Sequence, residues 1–465
     1  MTIKYNEPAP AQDTASVLLG MEGVTVTAAE EGEGGRLLVW ARISRPAACP
    51  GCGKVSERVH DRVVTRPRDV RHGSRAVDLF LEKRRLACGN EDCPQGTFTE
   101  WAPQVPPRCR ITRRLLEHCG DEVAERGITP AESARHNGVS WPSAHAAFTG
   151  KADAVLGDDP EPVAHLGIDE HRRGRARWRR DEETGEYVLL ADRWHTCSCD
   201  LSGSQGLLGQ VEGRTADDAA YWLAGAPPAW RDAVQVVAIG MCTICQSAVR
   251  KMLPRAKTAV DLFHVVQLAV KTAGDVRRRA IRELYGRRGK AGDPEYGIKH
   301  LLEKNLESLS PEQSEKIIET LDATAPGQHI ALAWIGKEKL RDALNLRARI
   351  TGSVPCERQA RDRLFAFYDW CAQNEQVPEL ITLARTISRW EDAIVTAILT
   401  GVTNARSESL NRIAKLEARH AYGFRNPASQ RRRVRTACTR GTRRNASSPP
   451  TPTKRTVTMR QRYPG

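Results

Sequence analysis

Two pairs of cysteines carry the clearest chemistry in the chain. Cys49 and Cys52 stand in "CPGCG", and Cys88 and Cys93 stand in "CGNEDC". A Cys-x2-Cys knuckle and a Cys-x4-Cys knuckle together supply four thiolates to one tetrahedral Zn2+. Gly51 and Gly53 let the backbone turn tightly enough for amides to face the sulfurs. Four unrelated thiols is the competing reading, and a glycine beside a cysteine in each knuckle argues against it. With no secretory leader in Met1 to Pro10, the 13 cysteines are expected as reduced thiols or metal ligands, not as a disulfide framework. Cys242 and Cys245 form a further Cys-x2-Cys at a helix start. No second pair with zinc spacing lies nearby in sequence. They read as packing residues, ahead of a redox pair or half a metal site.

The second set of candidates is acidic. Residues 163–168 form a short apolar run, and Asp169 and Glu170 stand at its end. A carboxylate at the end of a core strand needs a metal or an ion pair to offset its desolvation. A later apolar stretch, 256–264, ends in Asp261 and His264. Glu408 lies at the front of a helical segment, 403–426, where exposed amides favour a carboxylate. Asn404 and Asn411 lie near one face of that segment, and Arg412, Lys415 and Arg419 add a basic stripe. A solvated charged helix is the plainer alternative.

The elements that must position these residues follow from periodicity. Val77, Leu79 and Leu81 alternate with their neighbours as in a strand, which joins the two cysteine knuckles into a ribbon. Residues 108–148 contain an amphipathic helix and then two short helices capped by Thr129 and Ser140 around Gly138, a helix-turn-helix pattern. "YVLLADRW" and "HTCSCDLSG" are expected as two strands that complete an antiparallel meander with 163–168. "AVQVVAIGM", "CTICQSAVRKML" and "AKTAVDLFH" then read as strand, helix and strand. That order predicts a mixed sheet flanked by helices. Ribonuclease-H-like nucleases are built in this way, with three carboxylates holding two divalent metals. Residues 265–400 are predicted as largely helical.

Lys and Arg (71) exceed Asp and Glu (57), for a net charge of +14. Eleven of the basic residues and no acidic ones fall in 431–465, whereas 1–40 are net acidic. A basic block attracts polyanions, so double-stranded DNA is the first candidate partner. Candidate DNA contacts are Arg84 and Arg85 on the ribbon, Ser140 and Trp141 at a helix start, and the Arg412, Lys415, Arg419 stripe. No run approaches the ~20 apolar residues of a bilayer span, so the expectation is a cytoplasmic, nucleoid-associated protein with no membrane partner.

Taken together, "CPGCG…CGNEDCPQGTFTE", "GVSWPSAHAAF", "LGIDEHRRG", "LLGQVEGRT", "LPRAKTAVDLFHVVQLA" and "TNARSESLNRIAKLEARHAYGFRNP" resemble bacterial DDE-type insertion-sequence transposases of the ISL3 family. The resemblance covers roughly residues 45–440. It implies a multidomain α/β protein with a zinc ribbon and helix-turn-helix head, then a ribonuclease-H-like domain with a large α-helical insertion. The boundaries this implies are a flexible lead (1–44), a zinc ribbon (45–105) and a helix-turn-helix domain (106–150). The catalytic domain (160–265 and 401–430) is split by the helical insertion (266–400), and a basic disordered tail (431–465) follows.

The resemblance also implies structural Zn2+, catalytic Mg2+ or Mn2+, binding of terminal inverted repeats and target DNA, and a homodimer on DNA. Asp169 matches the first acid, Glu408 the glutamate, and Asp261 with His264 an Asp-x-x-His signature. The second aspartate is expected where this sequence has Gly240, in "VAIGMCTI". Either the chemistry is impaired in this copy, or Asp261 supplies the middle carboxylate from one strand further on. The alternative classes are a DNA-binding regulator without chemistry and a junction-type nuclease, the latter disfavoured by the sequence-recognition head.

Overall fold

A computed structural model describes residues 14–157, 159–424 and 426–447. The chain divides into two compact units, 1–158 and 159–465.

The first unit opens with helix α1 (Thr14–Leu19), strands β1 (Val24–Glu31) and β2 (Leu37–Ile43), β3 (Val59–Thr65), β4 (Val77–Ala87) and β5 (Thr97–Thr99). The sheet order is β1-β2-β4-β3, with β5 on the far end of β4. Strands β2 and β4 run parallel and the other pairs antiparallel. Alternation decides the inner face: Val24, Val26, Val39, Ala41, Ile43, Leu79 and Leu81 are buried together. This corrects the expected flexible lead. Residues 14–44 supply two strands of the sheet, and "EEGEGG" is the hairpin connection, with Gly34 and Gly35 at positive φ. The composition of 1–44 hides a period-2 pattern in short apolar stretches. Residues 1–13 lie outside the described part.

Helices α2 (Arg113–Asp121), α3 (Pro130–Asn137) and α4 (Trp141–Leu156) complete this unit. The expected caps are present: Thr129 Oγ1 accepts from Glu132 N at 3.1 Å, and Ser140 Oγ accepts from Ser143 N at 3.3 Å. Helix α3 ends at Gly138, whose φ of +61° terminates the helix. Buried Glu122, just after α2, accepts from Ser133 Oγ at 2.8 Å and from Asn137 Nδ2 at 2.7 Å, and so pins α3.

The second unit is built on β6 (His165–Arg172), β7 (Arg177–Arg180), β8 (Tyr187–Ala191), β9 (Trp194–Asp200) and β10 (Leu207–Glu212). Then come α5 (Ala216–Gly225), α6 (Pro228–Ala233), β11 (Val236–Ile239), α7 (Thr243–Met252), β12 (Lys257–Val260) and α8 (Leu262–Tyr285). The main sheet has the order β10-β9-β6-β11-β12. Its first three strands are antiparallel, and β6, β11 and β12 are parallel. The meander differs from the expected one: "YVLLA" pairs with β7 in a separate ribbon, and "LLGQVE" is the third meander strand. Tyr187, Val188, Leu189 and Leu190 are all exposed, so β8 has no buried face to hold it in the sheet.

Beyond α8 the chain is helical, as predicted. It forms α9 (Pro294–Gly297), α10 (Lys299–Glu303), α11 (Pro311–Asp322), α12 (Ala325–Leu344), α13 (Ala348–Thr351), α14 (Glu357–Gln373), α15 (Pro378–Arg389) and α16 (Glu391–Thr400). One continuous core joins β6, β11 and β12 to α8, α12, α14, α15 and α16. The last helices are α17 (Ala405–His420) and α18 (Pro427–Ser447).

Helix α18 corrects the expected disordered tail over 431–447. Val434 is fully buried and packs with Cys438 against Cys197, Leu207 and Leu410. Arg433 Nε donates to Glu417 Oε2 at 2.7 Å, with both side chains only 4% exposed. Dense arginine there serves partly as internal pairing, which composition alone reads as a solvated tail. Residues 448–465 lie outside the described part. Among the described residues, no helix is long and apolar enough to cross a membrane.

Candidate active site and metal centre

The four-cysteine centre sits between the loop after β2 and the end of β4. Cys49 N donates to Lys54 O and Gly53 N to Cys49 O, which closes the first knuckle. Cys88 N donates to Gly96 O and Cys93 N to Asn90 O in the second. Gly51 leaves room for the sulfurs, since a Cβ there would lie 3.1 Å from Cys93 Sγ, tighter than an ordinary contact. Ala47, Leu86 and Phe98 pack beneath the sulfurs. All four Sγ atoms lie within 4.8 Å of one another, with Cys49–Cys93 at 3.8 Å and Cys52–Cys88 at 3.5 Å. Tetrahedral zinc with Zn–S near 2.3 Å requires S···S of about 3.8 Å, so the donor set fits that ion.

The acidic residues converge at one end of the main sheet, and register explains how. Strand β6 is paired with β11 through Ile168↔Ile239, and β11 with β12 through Ile239↔Val260. The residues that follow these three in the chain are Asp169, still within β6, and Gly240 and Asp261, just past the ends of β11 and β12. Asp261 N still donates to Ile239 O at 2.8 Å, so the ladder extends to this row. Gly240 therefore stands between the two aspartates, at the end of the middle strand. Its backbone is not left-handed, and a Cβ built on it would meet only His264, at 3.6 Å, an ordinary contact. Position 240 has room for a side chain.

The site's third side is the front of α17. Gly167 on β6 admits it: a Cβ there would lie 2.2 Å from Ser407 Oγ and 2.9 Å from Asn404 Oδ1. Buried Asn404 donates to Ile168 O at 3.3 Å and anchors the helix start on β6. This close approach puts Glu408 beside Asp261 and His264. One donor atom from each of these three lies within 4.8 Å of the others.

Asp169 does not join that trio. Its Oδ2 accepts from Asn411 Nδ2 at 2.7 Å. Burial pushes the Asp169 carboxyl above the usual range; Glu408 adds to this, while the Glu170 amide, His264 and Asn411 oppose it. Asp261 also caps α8, accepting from Phe263 N at 3.1 Å. Asp261 and His264 thus lie just past β12, as helix cap and first helical turn, not within a strand as expected.

The candidate DNA contacts fall in different settings. Arg84 is held by Glu100, Nη2 to Oε2 at 2.8 Å, and this carboxylate is 1% exposed. Arg85 donates to Thr97 Oγ1. Trp141 is 52% exposed at the start of α4 and stacks on His145 with centroids 4.7 Å apart. Arg412, Lys415 and Arg419 are exposed along α17. A cleft of about 600 Å³ beside α3 is lined by Arg36, Arg66, Arg68, Arg71 and Arg135. Arg66, Arg68 and Arg71 lie in the basic segment between the two cysteine knuckles, and the fold adds Arg36 and Arg135 to them. In the sequence Asn411 shows only a helix face shared with Asn404. Its link to Asp169 spans 242 residues.

Comparison with known proteins agrees with this organisation. The ISL3 DDE transposase family model matches residues 166–434, and the zinc-finger model of the transposases IS204/IS1001/IS1096/IS1165 matches residues 45–93. The transposase for insertion sequence element IS1001 of Bordetella parapertussis is 24% identical over 391 residues, covering 81% of this chain and 85% of that protein. The transposase for insertion sequence element IS1557 of Mycobacterium tuberculosis (strain ATCC 25618 / H37Rv) is 30% identical over 199 residues. That match covers 38% of this chain and 42% of the relative. With the family model spanning more than half of its length, the chain belongs to the ISL3 family of bacterial transposases, with an N-terminal zinc ribbon.

Proposed function

We propose that this protein binds the terminal inverted repeats of its own insertion sequence as a homodimer, and that its DNA strand-cleavage chemistry is impaired. The carrying observation is the row Asp169, Gly240, Asp261, in which the middle strand of three presents no carboxylate. The strand order, three antiparallel strands and then two parallel ones, supports a ribonuclease-H-like reading of the second unit. Asp169 and Glu408 are the first and last metal-binding acids, and Asp261 is the nearest substitute for the missing middle one. Mg2+ or Mn2+ would activate water or a 3′ hydroxyl and stabilise the leaving oxygen. The chain's own part is to hold these acids. Asn411 fixes Asp169, Gly167 lets α17 bring in Glu408, and His264 stands against position 240.

In the first unit, α3 and α4 act as the helix-turn-helix, with Ser140 and Trp141 at the DNA-facing start of α4. The arginine cleft beside α3 follows phosphates, a task for which Arg85 is better placed than the internally paired Arg84. Arg412, Lys415 and Arg419 contact the DNA backbone near the acids. Double-stranded DNA as partner places the protein with the nucleoid.

A second reading, a transposase-derived DNA-binding protein without chemistry, is favoured by Asp261 serving as a helix cap. Fluorescence anisotropy with the repeats that flank the gene, together with strand cleavage in Mg2+ or Mn2+, tests both. The proposal expects binding to the repeats more than about a hundredfold tighter than to scrambled duplex. It also expects slow cleavage that Glu408→Gln abolishes. Equal affinity for both duplexes would refute end recognition. Cleavage at undetectable rates in both proteins would favour the second reading.

A further inference from the structure

Glu170 follows Asp169 on β6, so its side chain leaves the opposite face of the sheet. There β6 meets the start of α7. Glu170 Oε1 lies 3.1 Å from Cys245 Sγ and 3.4 Å from Cys242 Sγ. All three donor atoms lie within 4.8 Å of one another. Cys245 is 2% exposed, and Cys242 and Glu170 are half-buried. Among the described residues, no ion pair reaches Glu170. Cys242 caps α7, its sulfur accepting from Cys245 N at 3.5 Å, so the helix end already directs an amide toward a thiolate.

We propose that Glu170, Cys242 and Cys245 form a second zinc-class metal site, separate from the four-cysteine centre. Tetrahedral zinc with Zn–S near 2.3 Å and Zn–O near 2.1 Å requires S···O of about 3.6 Å, so the sulfurs, at 3.1 and 3.4 Å from Glu170 Oε1, move apart by only a few tenths of an ångström to take the ion. Two sulfurs and one carboxylate select a borderline-soft ion over Mg2+ or Mn2+, which prefer all-oxygen shells. Binding displaces the two thiol protons to solvent and leaves the cation held by three anionic ligands. Three protein ligands leave the fourth position open to water. The site clamps β6 to α7 across the turn in which Cys242 N donates to Gly240 O at 2.7 Å. Occupancy therefore holds the segment that carries position 240.

The test counts metal in the full-length protein. After equilibration with Zn2+ and removal of excess, the parent chain is expected to carry one more equivalent than Cys242→Ser/Cys245→Ser by elemental analysis. The same difference is expected in a Cys49→Ser background, which separates this site from the zinc ribbon. With Co2+, the near-ultraviolet thiolate band is expected to fall by about one third in the double variant, since two of six thiolates are lost. Glu170→Gln keeps both thiols and the local packing, and is expected to weaken zinc retention at least tenfold. It therefore serves if the serine variant fails to fold. Equal zinc counts in parent and double variant overturn the proposal. So does a Cys242–Cys245 disulfide that forms under mild oxidant at an unchanged rate with Zn2+ present.

Discussion

Replacing Gly240 with aspartate restores a carboxylate to the middle of the acid row, and its cost can be worked from the sheet. Asp169 and Asp261 stand one strand to either side, at about 4.8 Å of strand spacing. At an effective dielectric near 20, each like-charge pair costs about 3.5 kcal/mol. The full sum of about 7 kcal/mol is not reached, because the raised Asp169 carboxyl takes up a proton instead, at about 1.4 kcal/mol per pH unit. The ring of His264, 3.6 Å from the new Cβ, offsets a further part. We expect a net loss near 3 kcal/mol in metal-free protein at pH 7.5, or roughly 4–6 °C in the melting temperature of a unit of this size. Sterics add little, since position 240 is open and its backbone suits any residue.

Mn2+ should reverse the sign. A third carboxylate turns mutual repulsion into a clamp, so millimolar Mn2+ should raise the variant's melting temperature more than the parent's. Cleavage of the element ends should rise at least tenfold, which corresponds to about 1.4 kcal/mol of transition-state stabilisation. Differential scanning fluorimetry with and without Mn2+, read beside an end-cleavage assay, checks both. Equal Mn2+ shifts and equal cleavage in parent and Gly240→Asp would refute the reasoning and leave Asp261 as the working middle acid.

Burial raises the Asp169 carboxyl in the folded state, so the folded form binds its proton more tightly than the unfolded form. Stability is then lost as pH rises from the unfolded value, about 3.9, to the raised folded one. Urea unfolding of metal-free Asp169→Asn should show greater stability than the parent at pH 7.5, with the gap closing as pH falls through that window; a constant gap counts against the assignment. Arg433→Ala takes from buried Glu417 its 2.7 Å partner and leaves Arg440 at 3.6 Å, and should cost about 2–4 kcal/mol in denaturant unfolding. A change under about 0.5 kcal/mol would mean that α18 is not docked. Cys49→Ser should release one zinc equivalent and raise amide exchange in residues 45–99, while leaving protection in β6, β11 and β12 intact; protection unchanged in 45–99 would show that the ribbon folds without metal.

The cysteine knuckles were legible from the sequence because their ligands come in local pairs, each knuckle formed by a short turn. The capped helices around Gly138 were legible for the same reason: caps and turn glycines act within four residues. The apolar runs at 163–168 and 233–241 marked core strands, and the acids Asp169 and Glu408 stood out at element ends. Composition misled at both termini. The first 44 residues hide two short alternating strands, and the arginines of α18 hide a buried pair with Glu417.

What only the tertiary structure decided is adjacency across the chain. Register between parallel strands puts Gly240 between Asp169 and Asp261, and a one-residue slip would have broken the row. The close approach at Gly167 brings Glu408 to the sheet end beside Asp169, 239 residues away in sequence. The Cys242–Cys245 pair looked like simple packing because its third partner, Glu170, lies 72 residues upstream and arrives only through the β6–β11 pairing. Local patterns carry local geometry. Sites assembled from three or four distant elements depend on the register and close contacts of the folded core, which no short window of sequence contains.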